Sequence, residues 1–336
     1  MNRQSHTSSY PCEDMAENTT LALEGFKMTD YGKSMQRALP KRLAIWLLEK
    51  PWINALVVGA VRATTSAPTA PWRERLPVMR GTGTLALPDG QVIDMLNPAR
   101  CNVAREIWWH DGKMAHEADR AALELAISLA RDADIFLDIG SYTGLFALSV
   151  VRCNPAIRSV AFEIVPDNFL LLWQNVIHND MVGRVAVMFT GAAGEPGTIR
   201  VPVALEAGVL PSSVALDSAT PDGIEIPVDS IDRMIGTRED KVVIKIDVEG
   251  FEWSVLTGAR GLIESTRPDI ICEFLTRAPD IQAIIDYLAP LGYAFYRITG
   301  AGLVHSDAIV PVKTERDWLM TTRQSAELKA MGWTTL

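Results

Sequence analysis

The sequence is short of the residues that staple a chain, ligate metals or meet polyanions. Its 336 residues hold four cysteines, Cys12, Cys101, Cys153 and Cys272, none in a C-x-x-C pair. Such scatter argues against a disulfide framework and a structural zinc site, and it fits a reducing cytoplasm. Cys153 and Cys272 sit among apolar residues and read as small core side chains. No dense His/Asp/Glu cluster demands a metal, although Asp247, Glu249 and Glu273 would offer a cation site if they converged. Positive charge is scarce too: 32 Lys and Arg against 41 Asp and Glu leave a net charge of -9. A general nucleic-acid binder needs a basic face, so no nucleic-acid partner is expected. Long apolar runs are also missing. The charge-free stretch from Pro51 to Val61 is shorter than the roughly 20 residues that span a bilayer. The first twenty residues are polar and show no secretory signal.

What remains is an ordinary globular composition, 48% hydrophobic and 22% charged. Residues 1–36 are rich in Ser, Thr, Asn, Asp and Glu and are expected to be loosely ordered. Residues 39–65, LPKRLAIWLLEKPWINALVVGAVRATT, admit two readings. One is a pair of helices packed on the main domain. The other is an interfacial segment in which Trp46, Trp52 and the Lys41/Arg42 pair meet the inner face of a membrane. Residues 66–77 hold three prolines and read as a linker.

GTLALPDGQVIDML, residues 83–96, alternates around Asp89-Gly90 and predicts a hairpin. Residues 115–131 predict a helix with Leu123, Ile127 and Ala130 inward. From 134 onward short apolar strands alternate with helices. DIFLDIG precedes the helix GLFALSVVR, and SVAFEI precedes DNFLLLWQNVIHN. RVAVMFTGAAG is a third strand, and TIRVPVAL and IEIPVDSI add strands around a Gly/Pro/Ser-rich loop. VVIKID precedes the helix FEWSVLTGARGLI, and DIICEFL precedes IQAIIDYLAPL. YAFYRI and WLMTT close the series. The alternation predicts an α/β fold, a parallel sheet covered on both faces, over residues 81–336. Residues 1–80 form an N-terminal extension.

The first strand, loop and helix read FLDIGSYTGLFAL, a D-x-G-x-x-x-G pattern of Asp138, Gly140 and Gly144. A G-x-G-x-x-G dinucleotide loop brings backbone N–H groups and a helix N-terminus to a pyrophosphate and wants no nearby anion. Asp138 would repel that pyrophosphate, which disfavours a nicotinamide-dependent oxidoreductase. It suits a ligand with a cationic group and no phosphate. S-adenosylmethionine is such a ligand, and its carboxylate can use the helix N-terminus around residues 142–145. Glu163 ends the second strand, 23 residues after Gly140, where a carboxylate can accept both hydroxyls of an adenosine ribose. Ala192, within GAAG (191–194), stands where an adenine edge would lie. The plain alternative is that Asp138 caps a helix and Glu163 is a surface charge.

Within KIDVEGFE, residues 245–252, three charges at alternate positions, Lys245, Asp247 and Glu249, stand at the end of an apolar strand. Period two puts Lys245, Asp247 and Glu249 on one face, between apolar Val243, Ile244, Ile246 and Val248. Charges there are costly unless paired, solvated or used. Lys245 can pair with Asp247, Glu249 or Glu273, and the remaining carboxylate faces the cleft. A buried ion-pair network is the plain alternative. Gly250 lets the chain turn into the next helix.

DIGSYTG, the strand ending in Phe162-Glu163, KIDVEGFEWSVLTGA and DIICEF together resemble the FkbM family of S-adenosylmethionine-dependent methyltransferases. The resemblance spans about 134–322, and KIDVEG-x-E followed by L-x-G-A is its most specific part. It implies a seven-stranded, Rossmann-like class I methyltransferase sheet with helices on both faces. It also implies S-adenosyl-L-methionine as cofactor and O-methylation of a hydroxyl on a sugar, glycan or secondary metabolite. Carried over, Asp138, Gly140 and Gly144 line the methionine end of the cofactor, with Ser141 and Tyr142 in the loop between them, and Glu163 holds the ribose. Asp247 and Glu249 lie nearest the methyl group and the acceptor, with Lys245 beside them. If Lys245 pairs with Asp247, Glu249 is the general base. Ser141-Tyr142 departs from the Ala-Asn common in the family and sets a bulky ring beside the cofactor. His110 and His116, in WWHDGKMAHE, read as a segment over the cleft or as surface residues. Trp108 and Trp109 read as a sugar platform or as core. The rival to an enzyme is a non-catalytic methyltransferase-like adapter, tethered to a membrane glycan machine by residues 39–65. A nucleic-acid methyltransferase would need a basic face and usually an N/D-P-P-Y/F tetrapeptide, and the sequence has neither.

Overall fold

A computed structural model describes residues 46–65, 71–202, 223–236, 240–276 and 278–336. The expected loose start, the Lys41/Arg42 pair, Cys12 and the loop over 203–222 lie outside the described residues. The chain divides into a unit up to Trp46 and a unit from Leu47 to Leu336, and the fold is that of the second.

In chain order it begins with helix α1 (Pro51–Thr64), hairpin strands β1 (Gly83–Ala86) and β2 (Val92–Met95), and helices α2 (Asn102–Trp109) and α3 (Glu117–Leu129). Strand and helix then alternate: β3 (Ile135–Ile139), α4 (Leu145–Cys153), β4 (Arg158–Phe162), α5 (Pro166–His178) and β5 (Val185–Met188). An insertion follows, β6 (Gly191–Ala192), β7 (Gly197–Pro202), β8 (Gly223–Asp229) and α6 (Ile231–Met234). The alternation resumes with β9 (Val242–Ile246), α7 (Glu252–Gly258), α8 (Arg260–Thr266), β10 (Asp269–Glu273) and α9 (Ile281–Leu288). Strands β11 (Ala294–Thr299), β12 (Gly302–His305) and β13 (Asp317–Thr321) and helix α10 (Ser325–Ala330) complete it.

β3 and β9 are buried at all five positions, as runs this apolar must be when helices cover both sheet faces. They lie side by side in parallel, with β4 and β5 beyond β3 and β10 beyond β9. β13, β11 and β12 extend the sheet through antiparallel pairs. The order is β12-β11-β13-β10-β9-β3-β4-β5, eight strands. The expected sheet of seven is therefore corrected by β12. Thr299 pairs with Gly302, so the chain doubles back across Gly300-Ala301, and the Thr299 hydroxyl donates to the Gly302 carbonyl at 2.8 Å.

Alternation along the strands splits the core in two. Phe136, Val243, Ile271 and Leu319 meet α3 and α4 on one face. Leu137, Ile244, Ile270 and Met320 meet α7, α8 and α9 on the other. Each such side chain contributes about 1.5–3 kcal/mol by leaving water. The chain departs in opposite directions from β3, to β4 on one side and from β9 to β10 on the other. The crevice at the carboxyl ends of β3 and β9 is therefore the topological switch point where sheets of this kind hold ligands.

The predicted hairpin forms as β1 and β2. Asn179 and Asn175 accept the N–H groups of Asp94 and Leu96, both at 2.9 Å, and tie β2 to α5. α1 packs along the segment before β1. Asn54 donates to the Pro77 carbonyl at 2.8 Å and accepts the Met79 N–H at 3.0 Å. Val58, Val78 and Trp109 close a small apolar cluster beneath it. The opposite face leaves Trp52 at 64% and Leu56 at 68% exposure.

Candidate active site

Loops from the carboxyl ends of β3, β4 and β9 meet at the switch point. After β3, Gly140 and Gly144 take left-handed backbone angles, φ +81° and +91°. A Cβ on Gly140 would stand 1.9 Å from the Asp247 carbonyl oxygen, and one on Gly144 2.4 Å from Leu172 Cδ1. Packing against the turn after β9 and against α5 thus requires both glycines before any ligand is considered. The N–H groups of Gly140 and Ser141 both donate to the Phe162 carbonyl, at 3.1 and 2.9 Å, and fasten the loop to β4. Ser141 Oγ donates to the Asp138 carbonyl at 2.6 Å. Asp138 is 2% exposed, and its Oδ2 accepts the Ala147 N–H at 3.0 Å in the first turn of α4. Burial pushes its pKa up to about 7, against the pull of that N–H and of Lys245. Tyr142 is left-handed, φ +50°, and its hydroxyl accepts the Asn102 N–H at 3.4 Å.

Glu163 follows β4 directly and is buried. Its Oε1 accepts the Val165 N–H at 2.7 Å. Burial raises its pKa to about 7, opposed by the N–H groups of Val165, Ile164 and Tyr142. After β9 the Asp247 N–H donates to the Ile139 carbonyl at 2.9 Å. Glu249 and Gly250 are then left-handed in succession, φ +47° and +101°. Lys245 is buried and ion-paired to Asp317 at 3.3 Å and Asp247 at 3.8 Å. Burial opposes its charge, but Asp317, Asp247 and Glu273 outweigh that and hold it protonated above the ordinary lysine range. Glu273 pairs instead with Arg316, at 2.9 Å.

These loops wall a cavity of about 390 Å³, lined by Gly140, Tyr142, Glu163, Ala192, Asp247 and Glu249 among others. Asp138, Ser141, Gly144 and Lys245 are not among the residues that line it: Asp138, Ser141 and Lys245 are buried, and Gly144 packs on Leu172. The sequence reading missed Ile164 and Val165 after β4, Thr190 after β5, Ile199 and Val228 from the insertion, and Phe251 and Ser254 at the head of α7. The apolar alternation of IEIPVDSI was the available signal for the insertion. It marks a strand, not the cavity that the strand faces. The wall fits an adenosine: Glu163 offers a carboxylate to ribose hydroxyls, and Ile164, Val165, Ile199 and Val228 offer apolar faces to a base. The volume lies within the range of small-molecule sites.

His110 pairs with Glu74 at 2.8 Å, and His116 stands at the N-cap position of α3 without a side-chain capping bond; neither lines the cavity. Trp109 is core, and Arg62 lies over the Trp108 ring. Among the described residues, no three His, Cys, Asp or Glu side chains converge as a metal site requires.

Residues 138–295 match the family described as the methyltransferase FkbM domain. Over that stretch the chain has the sequence of an FkbM methyltransferase domain. That domain runs from Asp138 to Phe295, so it supplies every loop that walls the cavity. Among solved structures, a methyltransferase FkbM from Methylobacillus flagellatus is 21% identical over 56% of this chain and 44% of that one, with a TM-score of 0.40. This chain therefore spans less than half the length of that protein. TrmK of M. capricolum, solved with S-adenosyl-homocysteine, is 10% identical over 62% of this chain and 73% of that one, with a TM-score of 0.35. An O-methyltransferase from Bacillus cereus, also solved with S-adenosyl-homocysteine, is 13% identical over 60% and 79%, with a TM-score of 0.35. No curated protein matches the sequence.

Proposed function

We propose that the FkbM domain transfers a methyl group from S-adenosylmethionine to a hydroxyl of a sugar, glycan or secondary metabolite. The observation that carries the reading is one cavity with Glu163 in its wall and the Asp247–Glu249 turn in the same wall. Among the described residues its lining contains no Lys or Arg, which disfavours anionic acceptors and suits neutral polyhydroxyl ones.

When bound, S-adenosylmethionine supplies a methyl group on a positively charged sulfur. The chain's work is placement, because holding the acceptor oxygen in line with that methyl accounts for most of the achievable acceleration. Glu163 accepts the ribose hydroxyls. Lys245 sits beside Asp247 and engages it in an ion pair at 3.8 Å. Glu249 is then the carboxylate that takes the proton of the acceptor hydroxyl. Glu249→Gln is expected to lower kcat by about 10²–10⁴-fold, with S-adenosyl-homocysteine affinity within about threefold of wild type. Labelled methyl transfer to a sugar panel measures it. Lost cofactor affinity with unchanged turnover at saturation would remove Glu249 from this role. No methyl transfer to any acceptor class would favour the adapter reading.

The exposed Trp52 and Leu56 on α1 favour a second reading, peripheral contact with a membrane. Among the described residues no helix is long and apolar enough to cross one. The proposed compartment is the cytoplasm, where Cys101, Cys153 and Cys272 remain free thiols.

A further inference from the structure

One buried carboxylate is used neither by the cofactor wall nor by the acceptor side. Glu252, the first residue of α7, is 1% exposed. Its Oε1 accepts the Gly250 N–H at 2.7 Å, and its Oε2 has no hydrogen-bond partner. A carboxylate this deep is costly to keep unless something depends on it. The Gly250 N–H belongs to a turn with two consecutive left-handed residues, Glu249 and Gly250, a conformation that persists only where surroundings impose it. Asp247, Val248, Glu249 and Phe251 of that turn all line the cavity. The turn also bears on the glycine loop opposite: Asp247 donates its N–H to Ile139, and its carbonyl fills the space that a side chain at residue 140 would need.

We propose that Glu252 is a positioning residue for the methyl-transfer site: its carboxylate oxygen holds the 247–251 turn in the shape that presents Asp247 and Glu249 and braces the glycine loop. The proposal rests on the cavity being the cofactor and acceptor site. Glu252 touches neither ligand. What matters is one acceptor atom at Gly250, so a side chain that keeps that atom should serve and one that only fills the space should not.

The test compares Glu252→Gln with Glu252→Leu. Leucine fills the same volume, and replacing a buried polar side chain by an apolar one of similar size often leaves a fold intact or more stable. A purely structural role therefore predicts a folded Leu variant with wild-type binding. Positioning predicts a folded Leu variant that binds S-adenosyl-homocysteine at least tenfold more weakly by calorimetry, with the Gln variant within threefold of wild type. A Leu variant within threefold, or a Gln variant as weak as the Leu variant, would overturn the proposal. Amide hydrogen exchange at Gly250 in the wild-type protein needs no variant. Slow exchange is expected, and exchange at open-loop rates would also overturn it. Absence of S-adenosyl-homocysteine binding to the wild type would instead defeat the cofactor reading, and the exchange rate at Gly250 would still judge Glu252.

Discussion

Glu163 and Asp138 are both carboxyls whose burial lifts their pKa to about 7 from ordinary values of 4.5 and 3.8. The fold therefore favours their protonated forms. The stability they contribute is fully present below the ordinary carboxylate range and is lost as the pH rises through about 7. The ligand-free protein is expected to melt at lower temperature as pH increases through neutrality, and Glu163→Gln should flatten that slope. Ribose hydroxyls donate to the ionised carboxylate, so S-adenosyl-homocysteine should bind more tightly as pH rises across the same window and release a proton. Calorimetry in buffers of different ionisation enthalpy reads that proton, and Glu163→Gln should abolish the release. Lys245 gives the converse case. Asp317→Ala leaves it buried with the more distant Asp247 and the field of Glu273, and a loss of about 3–5 kcal/mol in unfolding free energy is expected from denaturant titration. The sequence displayed the acids of this site at the right strand ends. It offered helix capping by Asp138 as the alternative, and Asp138 does spend an oxygen on the Ala147 N–H; it did not display that Asp317, far along the chain, is the nearer partner of Lys245. That pairing depends on β13 entering the sheet beside β10.

Among the elements, the glycine loop and the 247–251 turn act as one piece. Gly140→Ala places a Cβ against the Asp247 carbonyl at a left-handed φ, and about 2–4 kcal/mol of stability should be lost, with weakened S-adenosyl-homocysteine binding. Thermal melts and calorimetry on the same variant check both. The motif D-x-G-x-x-x-G was legible because its spacing is local. The reason for its glycines was not, since Leu172 and Asp247 come from other elements. FEWSVLTGARGLI reads as one helix and folds as two, α7 and α8, with the junction at Ala259. At that junction Gly258 is pressed on the Ala193 carbonyl, where a Cβ would stand 1.9 Å away. That contact is tertiary and leaves no periodic trace.

Across the whole molecule, the parallel centre of the sheet could be read from apolar runs alternating with helices. Strand β12 could not, since GLVH is short and defined by its pairing with β11. The α1 segment shows the limit most clearly. Its composition is apolar nearly all round, yet only Asn54 and Val58 are buried, so no pattern within the segment told which face would be covered. If the exposed face meets lipid, a Trp52→Ser, Leu56→Ser double variant should lose co-flotation with anionic vesicles while keeping its melting temperature. Equal flotation of variant and wild type would dismiss the membrane reading and leave the enzyme untouched.

The cavity, its acids and its roof of apolar residues all bear on one claim, that this FkbM domain binds S-adenosylmethionine. Calorimetric titration of the full chain with S-adenosyl-homocysteine, with NAD as comparison, tests it most directly. The account predicts saturable one-site binding of S-adenosyl-homocysteine, weakened by Glu163→Gln, and no binding of NAD. Binding of NAD alone would contradict it.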